Sequence, residues 1–337
     1  MLRLLFRFLI FLVPVALLLV LGYVVDPLDR FPGPQPVPPV TAHYRHVKTL
    51  DYLHSDRGFD AFILGSSRVM RLEPTIVDEY GYKAYNYGYN MTRAEDLYCT
   101  LRFLLDENRT PIRLLVVGLE VEMLHDSFPV HPETLQTPEL ARYLRNDIEL
   151  PRLSSEDILQ LASDSVRLSF SSLYYLLTGR EPGGEYELDP ATGEYVVKPP
   201  RAGTVKISAN LMRTMYNMFS DFDALNPGRM AYFDAFIDLC RENGIRVIAF
   251  VTANHPVLEE FLVENTQYPE RLADAKMYWD FLGYDGFAYV DLSRPEYFGG
   301  DPEDFTDLAH IGTYNSELVA RLLMETCATA GNISPDP

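Results

Sequence analysis

Cysteine is scarce. The 337-residue chain holds three, Cys99, Cys240 and Cys327. They lie far apart with no Cys-x-x-Cys pair, which excludes a cysteine zinc site and a disulfide framework. Three small buried hydrophobes are the expectation; one disulfide with a leftover thiol stays open for an oxidising compartment. Positive charge is also short. Lys+Arg total 29 against Asp+Glu 48, a net charge of −19. A nucleic-acid backbone wants a basic surface, so no nucleic-acid partner is expected. The histidines at 43, 46 and 54 have no ligand spacing and read as a solvated face. No metal and no cofactor is called for, and there is no internal repeat.

Charge is missing altogether from Phe8 to Val25. At ~1.5 Å per residue such a helix nearly matches the bilayer core, and Pro14 is tolerated within it. Arg3 and Arg7 precede the run, and Asp26 and Asp29 follow it. That order puts the N-terminus in the cytoplasm and the rest outside. A cleaved signal peptide is the rival reading. The run is longer than an ordinary signal core, and no small-x-small site stands near Gly22–Val25. We therefore expect a single-pass anchor over 1–25, with the bulk of the chain periplasmic or at the cell surface. Residues 26–41 hold six prolines, a semi-rigid extended spacer. One domain over 42–330 and a tail over 331–337 complete the chain.

What is present is an alternation of short apolar runs with helical patterns. Ala61–Leu64 reads as a strand buried on both faces, ending in Gly65-Ser66-Ser67-Arg68. Further strands are expected at 83–88, 113–118, 245–251 and 287–292. Helices are expected at 43–54, around Pro74–Tyr80, from Thr92 onward, at 229–243, around 273–282 and at 313–328. Thr92 with Glu95 reads as a capping box, and Gly244 as a helix stop. The order implies α/β architecture with a five-stranded parallel sheet. Residues 124–226 break the alternation and read as a mainly helical insertion. Ser154-Ser155-Glu156 starts one helix in it, and 179–203 is a polar loop or hairpin. Two readings of the insertion stand level: a lid over the carboxyl edge of the sheet, or a peripheral elaboration.

Ligands of a parallel sheet sit past the carboxyl ends of its strands, where Ser67 falls. Serine is a poor nucleophile without a base. Asp307-Leu308-Ala309-His310, in the last loop, offers one: a carboxylate three residues from an imidazole can fix its tautomer and leave the other nitrogen to take a proton. The candidate catalytic set is Ser67 as nucleophile, His310 as base and then acid, and Asp307 as orienter.

The combination of Gly65-Ser66-Ser67 after strand one, Asn86-Tyr87-Gly88 after strand two and Asp307-x-x-His310 before the final helix resembles the SGNH/GDSL hydrolase superfamily. The resemblance covers roughly Asp60 to Leu323. It implies a three-layer, flavodoxin-like fold and makes Ser67 rather than Ser66 the nucleophile. The anchor, the Gly-Ser-Ser-Arg start and the long insertion look like the envelope-associated branch, which includes alginate O-acetylation proteins and the thioesterase-like protein of lipoteichoic acid D-alanylation. That implies esterase or O-acyltransferase action on acyl esters of a cell-envelope polysaccharide, often beside a membrane-bound O-acyltransferase as partner. The family's oxyanion glycine has its equivalent near Gly88, Asn90 or Met91. Its oxyanion asparagine is replaced by Glu120, which cannot donate when ionised. Either Asn90 substitutes, or the site is slow, or the chain is a non-catalytic glycan-binding or scaffold partner. An Arg68–Glu120 ion pair is expected at the neighbouring strand ends. His255 is a candidate for the groove wall. Tyr85, Tyr87 and Tyr89 fit either a sugar-facing groove or a plain strand.

Overall fold

The computed structural model describes residues 2–26, 44–179, 186–189, 191–197 and 209–331. The linker expected over 26–41 falls outside them after Asp26, as does the tail after residue 331. The described strands, in chain order, are β1 (Ala61–Leu64), β2 (Ala84–Asn86), β3 (Leu114–Leu119), β4 (Tyr186–Leu188), β5 (Tyr195–Val197), β6 (Arg246–Val251) and β7 (Phe287–Asp291). The first six α-helices are α1 (Leu2–Val25), α2 (Tyr44–His54), α3 (Pro74–Asp78), α4 (Ala94–Glu107), α5 (Pro132–Gln136) and α6 (Pro138–Ala141). After them come α7 (Ser155–Thr178), α8 (Ala209–Ser220), α9 (Pro227–Glu242), α10 (Pro256–Asn265), α11 (Tyr268–Asp280) and α12 (Thr313–Gly331).

The chain divides into two compact units. The first takes residues 1–47 and 152–185. In it α1 packs on α7, where Gly22 faces Ser169. The Ser154 hydroxyl caps α7 by accepting from the Asp157 N–H, and Gly179 ends it in the left-handed conformation. The anchor expected over 1–25 coincides with α1, of which the side chains at 1–11, 15 and 19 are not described. Among the described residues no helix is long and apolar enough to cross a membrane. The expected insertion over 124–226 is thus split. Its long helix α7 belongs to the first unit, and its remaining described elements belong to the second.

The second unit, residues 48–151 and 186–337, carries the sheet. Five strands pair in parallel in the order β2-β1-β3-β6-β7. Counted along the sheet's own strands this is 2-1-3-4-5. β1, β2 and β3 are buried throughout because helices cover both faces. On one face Ala61, Ile63, Val116 and Ile248 join a cluster with Ile76 and Val77 of α3 and Val319 and Leu323 of α12. On the other, Phe62 packs edge-on to Tyr52 of α2, which meets Phe103 of α4. Each such side chain contributes about 1.5–3 kcal/mol by leaving water. β4 and β5 form a separate antiparallel hairpin, as the turn around Asp189 and Gly193 suggests.

The open reading of the tyrosines is decided here, and the capping box is corrected. Tyr85, Tyr87 and Tyr89 face no groove. They are at most 2% exposed and pack in the aromatic core, with the Tyr87 hydroxyl on Thr49 and the Tyr89 hydroxyl on Thr100. Thr92 does not cap α4. Its hydroxyl donates to the Gly65 carbonyl at 2.7 Å, so the helix starts later, with the Arg93 N–H held by Asp96. Glu95 is instead drawn into a fully buried ion pair with Arg229. The three cysteines are all free and buried.

Candidate active site

The strand order reverses beside β1, since β2 pairs on one side of it and β3 on the other. A crevice opens past the carboxyl ends at such a point. β1 delivers Ser66 and Ser67 there, and β3 delivers Glu120. Gly65 makes the turn with φ +144, a conformation that favours glycine. Val69, two residues after Ser67, wedges under the turn. A Cβ on Gly88 or Gly118 would come within 2.7 or 2.3 Å of its methyls. Gly88 is therefore a packing position. Its N–H donates to the Asn86 side chain and its carbonyl accepts from the buried Lys48 ammonium. It does not line the cleft.

Ser67 and the last loop meet. The Ser67 Oγ lies 2.7 Å from His310 Nε2. His310 Nδ1 lies 2.9 and 2.8 Å from the two Asp307 carboxylate oxygens. Asp307 also accepts the backbone N–H groups of Ala309 and His310. Burial works to raise its pKa, but the hydrogen bond and charge of His310 and these N–H groups outweigh it and hold Asp307 at about 2. An ionised Asp307 fixes the proton on Nδ1 and leaves Nε2 to accept from the serine hydroxyl.

Ser66, by contrast, is spent on structure. It is 2% exposed, its Oγ donates to Glu120 at 2.5 Å, and it accepts the Arg68 N–H. The expected Arg68–Glu120 ion pair is not made. Glu120 is the last extended residue of its segment and sits in the cleft floor, with Thr252 as its second hydroxyl donor at 3.5 Å. The chain then turns into a short 3₁₀ segment, Val121–Leu124, which carries Glu122 to Arg68 at 2.9 Å. Arg68 also reaches the Thr252 hydroxyl.

The carboxyl of Glu120 is pushed up to about 7. Burial is the main cause; Arg68 opposes it, Glu122 adds to it, and the Ser66 and Thr252 hydrogen bonds oppose it. Glu120 is thus neutral below that pH in the fold, whereas in the unfolded chain it ionises near the ordinary carboxyl value. Between the two values the folded state holds the extra proton, so its stability falls as pH rises. An ionised Glu120 would also oppose negative charge developing in the cleft. We expect Glu120→Gln to remove the stability loss between about pH 4.5 and 7. Any ester turnover should lose its decline above about pH 7. Melting temperature and kcat/KM, followed from pH 5 to 9, check both.

The cleft has a volume of about 180 Å³. Ser67, Arg68, Asn90, Glu120 and His310 line it together. His255 does not. Its imidazole caps α10 by accepting from Val257 N–H, with burial lowering its pKa. Its backbone N–H holds the Leu308 carbonyl and so steadies the loop carrying Asp307 and His310. From the sequence, Ser66 was weighed only as the rival nucleophile, and Glu122 and Thr252 were given no role. Nor was there any expectation of an apolar wall made by Phe128 and, on α8, Leu211, Met215 and Met218, or of Met91 as part of it. The spacing of the three α8 residues was the available signal. Among the described residues no group of His, Cys, Asp and Glu is placed to hold a metal ion.

No family model matches the chain, and no curated protein is similar enough to count as a relative. The fold and the site define the chain by class alone: an α/β protein with a five-stranded parallel sheet of order 2-1-3-4-5. At its switch point a serine, a histidine and an aspartate stand in one hydrogen-bonded chain.

Proposed function

We propose that the chain is a serine acyl-transfer enzyme acting on esters. More narrowly, we read it as an SGNH/GDSL-type esterase or O-acyltransferase of the cell envelope. In this reading it is anchored by the charge-free stretch Phe8–Val25, and its domain works on an acylated envelope polysaccharide outside the cytoplasm. A membrane-bound O-acyltransferase is the partner that the reading supplies. One observation carries the catalytic part. Two groups 243 residues apart, Ser67 Oγ and His310 Nε2, lie at hydrogen-bond distance, with Asp307 behind the imidazole. A scaffold has no need of that alignment.

The chemistry follows. Ser67 Oγ attacks the ester carbonyl carbon while its proton passes to His310 Nε2. The carbonyl oxygen takes the negative charge, and Asp307 stabilises the imidazolium. Collapse breaks the bond to the alcohol, which leaves with the proton from His310, and Ser67 is acylated. Water, or a sugar hydroxyl, then attacks the acyl carbon. Its proton goes to His310 and on to Ser67 Oγ as the acyl group departs. The Ser67 backbone N–H and Asn90 are the donors we assign to the oxyanion.

A second reading is favoured by Glu120. A buried carboxylate stands where the family carries a donating asparagine, which suits a non-catalytic glycan-binding partner. Removing one oxyanion donor costs ~10²–10³ in rate. That slows an enzyme without abolishing it, so we rank the enzyme first. Incubating the full chain with an acetylated polysaccharide and a simple ester decides between them. Release of acid or transfer of the acyl group is expected. Neither, from a folded protein, leaves the binding partner.

A further inference from the structure

The cleft lining is mixed: Ser67, Arg68, Glu120 and Glu122 are polar, and Met91, Phe128, Leu211, Met215 and Met218 are apolar. The apolar part comes largely from one helix. Leu211, Met215 and Met218 fall at i, i+4 and i+7 of α8, so they form one stripe, and all three line the cleft. Phe128 shares the lining, and three contacts fix its position. Its ring stacks on His125 with centroids 3.7 Å apart, the Arg93 guanidinium lies over it at 5.3 Å, and its carbonyl accepts from the buried Arg229 at 2.7 Å. Met91 also lines the cleft. Its backbone is held at φ +48, a conformation uncommon for a side chain of this kind.

Ser67 and this wall line one cleft, so an acyl group on the carbon that Ser67 attacks has an apolar surface within the same site. Methionine thioethers adapt to flexible apolar chains better than branched side chains do. At ~10–15 Å³ per water-sized group, the cleft volume of about 180 Å³ exceeds what an acetyl group fills. An acetyl group would leave part of the methionine stripe uncovered.

Building on the acyl-transfer reading above, we propose that the methionine stripe of α8 and Phe128 form an acyl pocket, and that the site prefers esters of short aliphatic acids longer than acetic acid over acetate esters. The stripe sets specificity and takes no part in proton transfer.

The test uses the full chain and para-nitrophenyl esters of acetic, butyric, hexanoic and dodecanoic acids. The leaving group is constant, so only the acyl side changes. We expect kcat/KM to rise about tenfold from acetate to butyrate, the effect of burying two methylenes. It should peak at butyrate or hexanoate and drop at dodecanoate. Met215→Trp fills the pocket, and the butyrate-to-acetate ratio should fall about tenfold. Should that buried substitution spoil folding, Leu211→Trp, at a half-buried position, gives the same comparison. A flat series, or one highest at acetate, overturns the pocket while leaving the serine mechanism standing. No turnover of any ester, from a folded chain, overturns the acyl-transfer reading and the pocket with it.

Discussion

Ser67→Ala lowers kcat for ester turnover by about 10⁴–10⁶-fold, to what binding and oxyanion stabilisation alone sustain. The loss is this large because nothing nearby replaces the hydroxyl. Ser66 is adjacent in sequence, yet its Oγ is buried and held between Glu120 and the Arg68 N–H. To act, it would have to leave a carboxyl group without its closest donor. The two serines are therefore told apart by a pair of variants. Ser66→Ala costs stability, since Glu120 keeps only the longer Thr252 bond, but it leaves the Ser67–His310 contact in place. Steady-state turnover of a simple ester, with circular dichroism to confirm folding, checks the comparison.

Asp307→Asn lowers kcat by about 10⁴-fold with the fold retained. Asparagine keeps one oxygen, so it still accepts the Ala309 and His310 N–H groups that shape the loop. Its amide, however, donates. Facing His310 Nδ1, it makes that nitrogen an acceptor and moves the proton to Nε2. An Nε2 that carries a proton cannot take one from Ser67. The effect belongs in kcat rather than in the melting temperature. In the wild type, Asp307 is held at about 2, so it stays ionised at every pH where turnover would be assayed. Its contribution to the fold is present above the ordinary carboxyl value and is lost only as pH falls toward 2.

The sheet was readable because buried parallel strands are continuous apolar runs, and Ala61-Phe62-Ile63-Leu64 and Leu114 to Val117 are such runs. Ser67 was readable because it stands just past such a run, and Asp307 and His310 because a carboxylate and an imidazole three residues apart precede the final helix, with residue types that one chemistry needs. Packing was not readable in the same way. Gly88 has the position of an oxyanion glycine, but whether its N–H faces a ligand or Asn86 depends on where Val69 wedges. Glu120 and Glu122 lie two residues apart and differ in partner because a 3₁₀ turn intervenes, and composition does not announce such a turn. The tyrosines after β2 alternate as a sheet surface would; only the arrival of α2 and α4 over them makes that surface core. The assignment of α7 to one unit and α8 to the other depends on contacts between segments far apart in sequence. The stripe on α8 keeps helical spacing, but no helix was expected there, and its use as a cleft wall was not readable.

The central claim is that the Ser67 hydroxyl is activated by His310. The most direct measurement is reaction of the full chain with a fluorophosphonate, followed by mass analysis of the peptides. The account predicts one phosphonyl adduct, on Ser67, that is lost in Ser67→Ala and His310→Ala and kept in Ser66→Ala. An adduct on Ser66, or none on a folded wild-type chain, would contradict it.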